Sequence, residues 1–145
     1  IAFNVIPQID VFLDNDYTKE EMKMVWETRK ILGDDTILVN PTAVRVPVFF
    51  GHGEAIHIET RSPIDAADVK ALLAQAPGIK LYDDRDAFPT QVCSASGNDL
   101  THVGRVRNDI SHPNGINMWV VSDNIRKGAA TNSVQIAETL IRDYL

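Results

Sequence analysis

The stretch at residues 40–60, NPTAVRVPVFFGHGEAIHIET, most constrains how this chain can fold. Pro41 fixes its own φ and favours an extended conformation in the residue before it, so the stretch opens with a turn. Residues 43–50 are mainly β-branched or aromatic, which predicts a strand. Glycines flank His52 and let the chain turn there, and the alternating pattern of residues 55–60 predicts a returning strand. The sequence therefore predicts a β-hairpin with His52 at its turn.

Two side chains in this stretch are candidates for function. On the predicted strand Arg45 shares a face with Pro47 and Phe49, so a buried charge there requires a partner. The glycines beside His52 favour an imidazole offered at the mouth of a site. An edge strand with a solvated Arg45 and a turn histidine explains the same residues without any function, and the residue pattern alone favours neither interpretation.

The composition fits an ordinary globular domain and excludes several classes of function. A chain of 145 residues, 44% hydrophobic and 23% charged, can bury one sizeable core, which predicts a single domain over residues 1–145. No apolar run approaches the roughly 20 residues that span a bilayer, so no membrane partner is predicted. A net charge of −6 without a basic patch predicts no nucleic-acid partner.

The few cysteine and histidine residues predict neither disulfides nor a metal site. The four histidines are scattered and lack the spacing of zinc ligands. The one cysteine, Cys93, fits a reducing compartment and a cytoplasmic location. Neither a helix N-terminus nor a histidine is apparent near Cys93 to lower its pKa, so we expect it to be inert.

Periodicity elsewhere predicts an α+β fold, a mixed sheet with helices packed on one face. Thr18 and Glu21 form a capping box that starts a helix, and Gly33 ends that helix, whose apolar face includes Val25 and Trp26. Further helices are predicted at residues 65–76 and 126–145, and strands at residues 37–39, 79–82, 102–106 and 116–122.

The first predicted helix also carries a pair of opposite charges. Glu20 and Lys23 are three residues apart, so they are neighbours on the side of the helix away from its apolar face. Without further information, the two residues are explained by a surface ion pair that contributes a few tenths of a kcal/mol and has no function.

Several segments carry a resemblance to a known family over the whole length of the chain. They are IAFNVIPQID, YTKEEMKMVWETRKIL, VNPTAVRVPVFFGHGEAIHIET, VGRVRNDIS and GINMWVVSDNIRKGAATNSVQIAETLIRDYL. Together they resemble the C-terminal part of bacterial aspartate-semialdehyde dehydrogenases. That family reduces L-aspartyl phosphate to aspartate semialdehyde with NADPH through a cysteine thioester, releasing phosphate, on the route to lysine, threonine and methionine.

The resemblance also implies an architecture and an assembly. The family is similar to glyceraldehyde-phosphate dehydrogenase, with an N-terminal nucleotide domain followed by a substrate-binding and dimerisation domain. The chain matches the second of these domains, so the resemblance implies that fold and a homodimer. A related reductase that acts on N-acetylglutamyl phosphate fits the EEMK and VRVP segments poorly.

Roles for individual residues follow from the resemblance. Arg45, in VRVP, matches the arginine that binds the substrate carboxylate, and its planar fork suits that task. His52 matches the catalytic acid and base beside the nucleophilic cysteine. Glu20 matches the residue that binds the substrate amino group, and Lys23 the one that meets the phosphate. Asn124 matches a polar side chain that approaches the nicotinamide of NADP.

Some family features are missing from this sequence. The Asn-Cys-Thr nucleophile and the Gly-rich nucleotide loop are absent, and Ala43 stands where relatives often carry a cysteine. The first residue is Ile1 and the first methionine is Met22, so we expect an upstream segment. The chain alone is therefore predicted to be inactive. The alternative is a free-standing dimerisation or regulatory module that has kept the fold without the chemistry.

Overall fold

The computed structural model describes all 145 residues. It divides into two compact units, Ile1–Pro47 and Val48–Leu145. None of its helices has both the length and the apolar character that a bilayer crossing requires.

The first unit is built around helix α1, Lys19–Leu32. Its start is the predicted capping box, because Thr18 Oγ1 accepts from the backbone N–H of Glu21 at 3.3 Å and Glu21 Oε2 accepts from that of Thr18 at 2.8 Å. Gly33 ends the helix in the left-handed conformation, with φ +64°. Both predicted boundaries of this helix are confirmed.

Only part of the predicted apolar face of α1 is buried. Val25 is buried, but Trp26 is 51% exposed. A unit of this size buries little of its surface, so it covers one stripe of the helix rather than a full face.

No regular strand forms before β1, which begins at His52, so the strands predicted at residues 37–39 and 43–50 are wrong. Only isolated antiparallel bridges form, between Ile6 and Arg45 and between Phe12 and Thr18. Pro41 and Pro47 have no N–H to donate on either side of Arg45, which restricts ladder formation to a single bridge.

The second unit contains a four-stranded sheet in the order β1-β4-β3-β2. The strands are β1 His52–Glu59, β2 Ile79–Tyr82, β3 Thr101–Asn108 and β4 Gly115–Ser122. β4 is antiparallel to both β1 and β3, whereas β2 runs parallel to β3. The predicted α+β class with a mixed sheet is confirmed.

The hairpin predicted for residues 40–60 is wrong. Its second half does form a strand, β1, but β1 pairs with β4 from His52 opposite Ser122 to Glu59 opposite Gly115. The partner is thus a strand some 60 residues along the chain, and His52 is the first residue of a strand rather than part of a turn.

Helix α2, Ala66–Gln75, covers one face of the sheet. Asp65 caps it, accepting from the backbone N–H groups of Ala67 and Asp68. Val69 and Leu73 of the helix pack against a core of buried residues, which are Val103, Val106 and Ile116.

The last helix, α3, spans Thr131–Tyr144 and follows a short π-helix, Arg126–Ala130. Together they occupy the predicted final helix. The apolar side chains Val134, Leu140 and Ile141 are at least half exposed, so α3 leaves much of its apolar side uncovered.

Candidate functional site

Glu20 and Lys23 form an ion pair on the first turns of α1. Lys23 Nζ donates to Glu20 Oε2 at 3.0 Å, and both side chains are about 40% exposed. This hydrogen bond and the charge of Glu20 raise the pKa of Lys23. The predicted neighbourhood of the two residues is confirmed, and it presents a carboxylate and an ammonium side by side to solvent.

Arg45 is held through its backbone and exposes its side chain. Its N–H donates to the carbonyl of Ile6 at 2.8 Å, and its carbonyl accepts from the N–H of Ile6 at 3.0 Å. The side chain is exposed, so of the two interpretations left open by the sequence the structure agrees with a solvated Arg45. The arrangement fixes the Cα of Arg45 and leaves its guanidinium available to an anion.

Glu21 connects two segments that carry candidate site residues, and the sequence identified only its role as a helix cap. While its Oε2 caps α1, its Oε1 accepts from the backbone N–H of Ala43 at 2.9 Å. The hydrogen bonds from the backbone of Thr18 and of Ala43 lower the pKa of this buried carboxyl group. One side chain therefore connects the start of α1 to the segment that carries Arg45.

His52 lies at the start of β1 with its side chain exposed. The residue before it, Gly51, has φ +82° and donates its N–H to Asn124 Oδ1 at 3.0 Å. The structure thus brings His52 and Asn124, which are far apart in the sequence, to one end of the sheet.

A second group of side chains packs against the glycines that flank His52. A Cβ on Gly53 would lie 2.3 Å from Gln91 Nε2 and 2.8 Å from Trp119 Cζ2. Trp119 is fixed in turn, because its Nε1 donates to the carbonyl of Pro89 at 2.9 Å. Sequence analysis missed Gln91 and Trp119, since no local pattern places them beside His52.

Asn124 is the residue of this chain that the resemblance places beside the nicotinamide of NADP, and its side chain has groups suited to that contact. Its Oδ1 is occupied by the N–H of Gly51, and the amide N–H groups of the same side chain remain as donors. They fit an acceptor such as a nicotinamide carboxamide. The sequence contains no Gly-rich loop that could bind the phosphates of NADP, so this chain offers the cofactor the Asn124 side chain alone.

His57, in the middle of β1, lies between two carboxylates. Its Nδ1 is 3.0 Å from Oδ2 of the largely buried Asp109, and its Nε2 is 3.3 Å from Oε1 of Glu59. Hydrogen bonds that the imidazole donates to Glu59 and Asn117, together with the charge of Asp109, raise the pKa of His57. The cluster ties the edge strand to the β3–β4 connection.

Cys93 lies exposed on a short π-helix, Gln91–Ala95, and its backbone N–H donates to Thr90 Oγ1 at 3.1 Å. Its predicted inertness remains a prediction.

Comparison with known proteins gives a consistent result. Residues 1–127 match the family model described as semialdehyde dehydrogenase, dimerisation domain. An aspartate-semialdehyde dehydrogenase of Shewanella sp. strain DB6705 is 71% identical over 99% of this chain. The chain spans 43% of the length of that relative.

Solved structures show the same fold. The crystal structure of aspartate semialdehyde dehydrogenase II from Vibrio cholerae, complexed with ASA, matches the whole chain at 68% identity with a TM-score of 0.96. The chain covers 43% of that protein. The aspartate semialdehyde dehydrogenase of Candida albicans, solved with NADP, matches 97% of the chain at 28% identity and a TM-score of 0.79, with 45% of its own length covered.

Proposed function

Because the chain belongs to the semialdehyde dehydrogenase family, as a dimerisation domain, we propose that it is the substrate-binding and dimerisation part of an aspartate-semialdehyde dehydrogenase. The observation that carries this proposal is the 71% identity to such an enzyme over 99% of the chain. The proposed activity of the whole protein is the reduction of L-aspartyl phosphate to aspartate semialdehyde with release of phosphate. The ASA complex of the Vibrio cholerae relative supports the proposed identity of the substrate, and the NADP complex of the Candida albicans relative supports that of the cofactor.

Arg45 is proposed to bind the substrate carboxylate. Its backbone is fixed by Ile6 and its guanidinium is exposed, so the side chain can form two parallel N–H···O bonds to a carboxylate without first breaking an internal ion pair. Preorganisation of the Cα position lowers the entropy that binding costs.

Glu20 and Lys23 are proposed to bind the substrate amino group and the phosphate, respectively. Their mutual ion pair is about 40% exposed at both ends, and such pairs contribute little free energy. Exchanging the internal partner for a charged group of the substrate therefore costs little. The ammonium that this exchange frees is cationic at neutral pH and attracts the phosphate.

His52 is proposed to move protons in the reaction. Its exposed imidazole can accept the proton of a cysteine thiol located outside this chain, and it can later return a proton to the substrate. NADPH, when bound, supplies the hydride. We propose that Asn124 contributes an amide N–H to that cofactor, in addition to its bond to Gly51.

Homodimerisation is proposed from the family description. Exposed apolar side chains in both units agree with surface that is covered in an assembly, among them Phe49, Leu38 and Phe3.

The direct test is an activity assay on the full-length protein that contains this chain. We expect phosphate-dependent reduction of NADP with aspartate semialdehyde, which is the reverse of the proposed reaction. The matched control is the 145-residue chain alone, which we expect to be inactive. A full-length protein that dimerises but never turns over aspartate semialdehyde would favour the alternative, a module without catalysis.

A further inference from the structure

We propose that Asn124 is a positioning residue for His52, acting through the backbone of Gly51, and that Gln91 and Trp119 support the same backbone beyond His52. This inference rests on the proposed function, because it assigns a purpose to groups that surround the proposed acid and base.

The contact with Gly51 fixes the chain immediately before His52. Gly51 has φ +82°, a conformation that favours glycine, and a Cβ there would lie 3.1 Å from the carbonyl oxygen of Ser122. A glycine at the entry to an edge strand moves easily, since little restricts its dihedral angles. The bond from its N–H to Asn124 Oδ1 at 3.0 Å removes that freedom.

Asn124 is itself held in place by the residue before it. The carboxylate of the buried Asp123 accepts from the backbone N–H groups of Gly97 at 2.8 Å, Ile125 at 2.9 Å and Arg126 at 3.0 Å. The bonds from Arg126 and Gly97 lower the pKa of Asp123, so it accepts them as a carboxylate over the neutral range. The loop after β4 therefore presents Asn124 rigidly.

The backbone after His52 is restricted at Gly53 by two side chains, Gln91 and Trp119. Successive side chains of a strand point to opposite faces of the sheet. Gly53 faces Gln91 and Trp119 on one face, so the imidazole of the preceding residue, His52, lies on the other face. Gln91 and Trp119 therefore restrict the backbone and leave His52 open to its reaction partners. Small displacements of a catalytic group cost large factors in rate, which explains why such restriction matters.

The test compares three substitutions in the full-length enzyme. Asn124→Leu keeps the side-chain size and removes the acceptor, Asn124→Asp keeps an acceptor oxygen, and Asn132→Leu is the control on the exposed start of α3. We expect Asn124→Leu to lower kcat by ~10–100-fold, with the KM for aspartate semialdehyde changed by less than about threefold. The Kd for NADP should rise by up to roughly tenfold, because the substitution also removes the amide N–H that is proposed to contact the cofactor. We expect Asn124→Asp to restore kcat to within roughly fivefold of wild type.

Amide hydrogen exchange gives a readout that does not depend on activity. Exchange at Gly51 is expected to accelerate in Asn124→Leu and to stay near the wild-type rate in Asn124→Asp.

The outcomes separate this inference from the function on which it rests. An active wild type with unchanged kcat and unchanged Gly51 exchange in Asn124→Leu would overturn the inference alone. A loss confined to the Kd for NADP, with unchanged exchange, would also overturn it and would assign Asn124 to the cofactor only. A wild type without turnover would contradict the proposed function and this inference together.

Discussion

The carboxylate of Glu21 and the backbone of Ala43 are joined by a hydrogen bond of 2.9 Å that spans 22 residues. The same carboxylate caps α1 at Thr18, so it links the helix that carries Glu20 and Lys23 to the segment that carries Arg45. Three residues with proposed substrate roles thus depend on one side chain that has no such role.

Substitution of Glu21 by glutamine tests this link. Glutamine keeps one acceptor oxygen, but its NH2 group would face a backbone N–H, so one buried donor loses its partner. We expect the Tm of the full-length protein to fall by roughly 2–6 °C. Glu20→Gln, on the exposed side of the same turn, is the control and should leave Tm nearly unchanged. Equal Tm values for the two variants would contradict the link.

Arg45→Lys tests the proposed carboxylate-binding role. A point ammonium cannot reproduce the two parallel bonds of a guanidinium, and hydrogen bonds to charged groups contribute about 1.5–3 kcal/mol. We therefore expect kcat/KM for aspartate semialdehyde to fall by ~10–100-fold in the full-length enzyme. Arg85→Lys, in the exposed loop after β2, is the matched control. A near-normal kcat/KM in Arg45→Lys would remove Arg45 from the site.

The cluster around His57 predicts a pH-dependent contribution to stability. The groups that face this imidazole are Glu59 on its own strand, Asn117 on β4 and Asp109 on the β3–β4 connection. They raise the pKa of His57 above its ordinary value of 6.5, so the folded state binds the proton more tightly than the unfolded state. The stabilisation is complete below pH 6.5 and is lost as the pH rises through the folded-state pKa.

His57→Gln makes this prediction measurable. We expect the variant to have a lower Tm than wild type at about pH 6 and a smaller difference at about pH 9. A difference in Tm that is constant over this range would show that the imidazole contributes by packing alone.

The proposed assembly predicts the mass of the particle in solution. Static light scattering on the full-length protein at micromolar concentration should give twice the mass of one chain. A monomer at that concentration would count against the homodimer.

The sequence predicted the elements whose signals are local. The capping box of Thr18 and Glu21, the stop at Gly33 and the strand Ile79–Tyr82 each depend on neighbouring residues, and all are present. Pairing between distant strands has no local signal. The returning strand of the expected hairpin therefore exists as β1, but its partner is β4.

The candidate site shows the same limit. Spacing along one helix was sufficient to bring Glu20 and Lys23 together. The bond from the N–H of Ala43 to Glu21 and the bond from the N–H of Gly51 to Asn124 join residues far apart in the sequence, and each side chain already had an adequate local explanation. The exposure of Trp26 and Leu140 could not be predicted either, because periodicity identifies an apolar face without showing what covers it.

Turnover of aspartate semialdehyde by the full-length wild type and by its His52→Asn variant tests the proposed activity and the proposed role of His52 together. We expect phosphate-dependent NADP reduction by the wild type and a decrease in kcat of ~10²–10⁴-fold in the variant, with Kd for NADP unchanged, because His52 moves the proton. His112→Asn, in the turn before β4, should retain wild-type kcat. A wild type that is inactive with aspartate semialdehyde would show that the proposed activity is wrong, and a His52→Asn variant that keeps full kcat would remove His52 from the reaction.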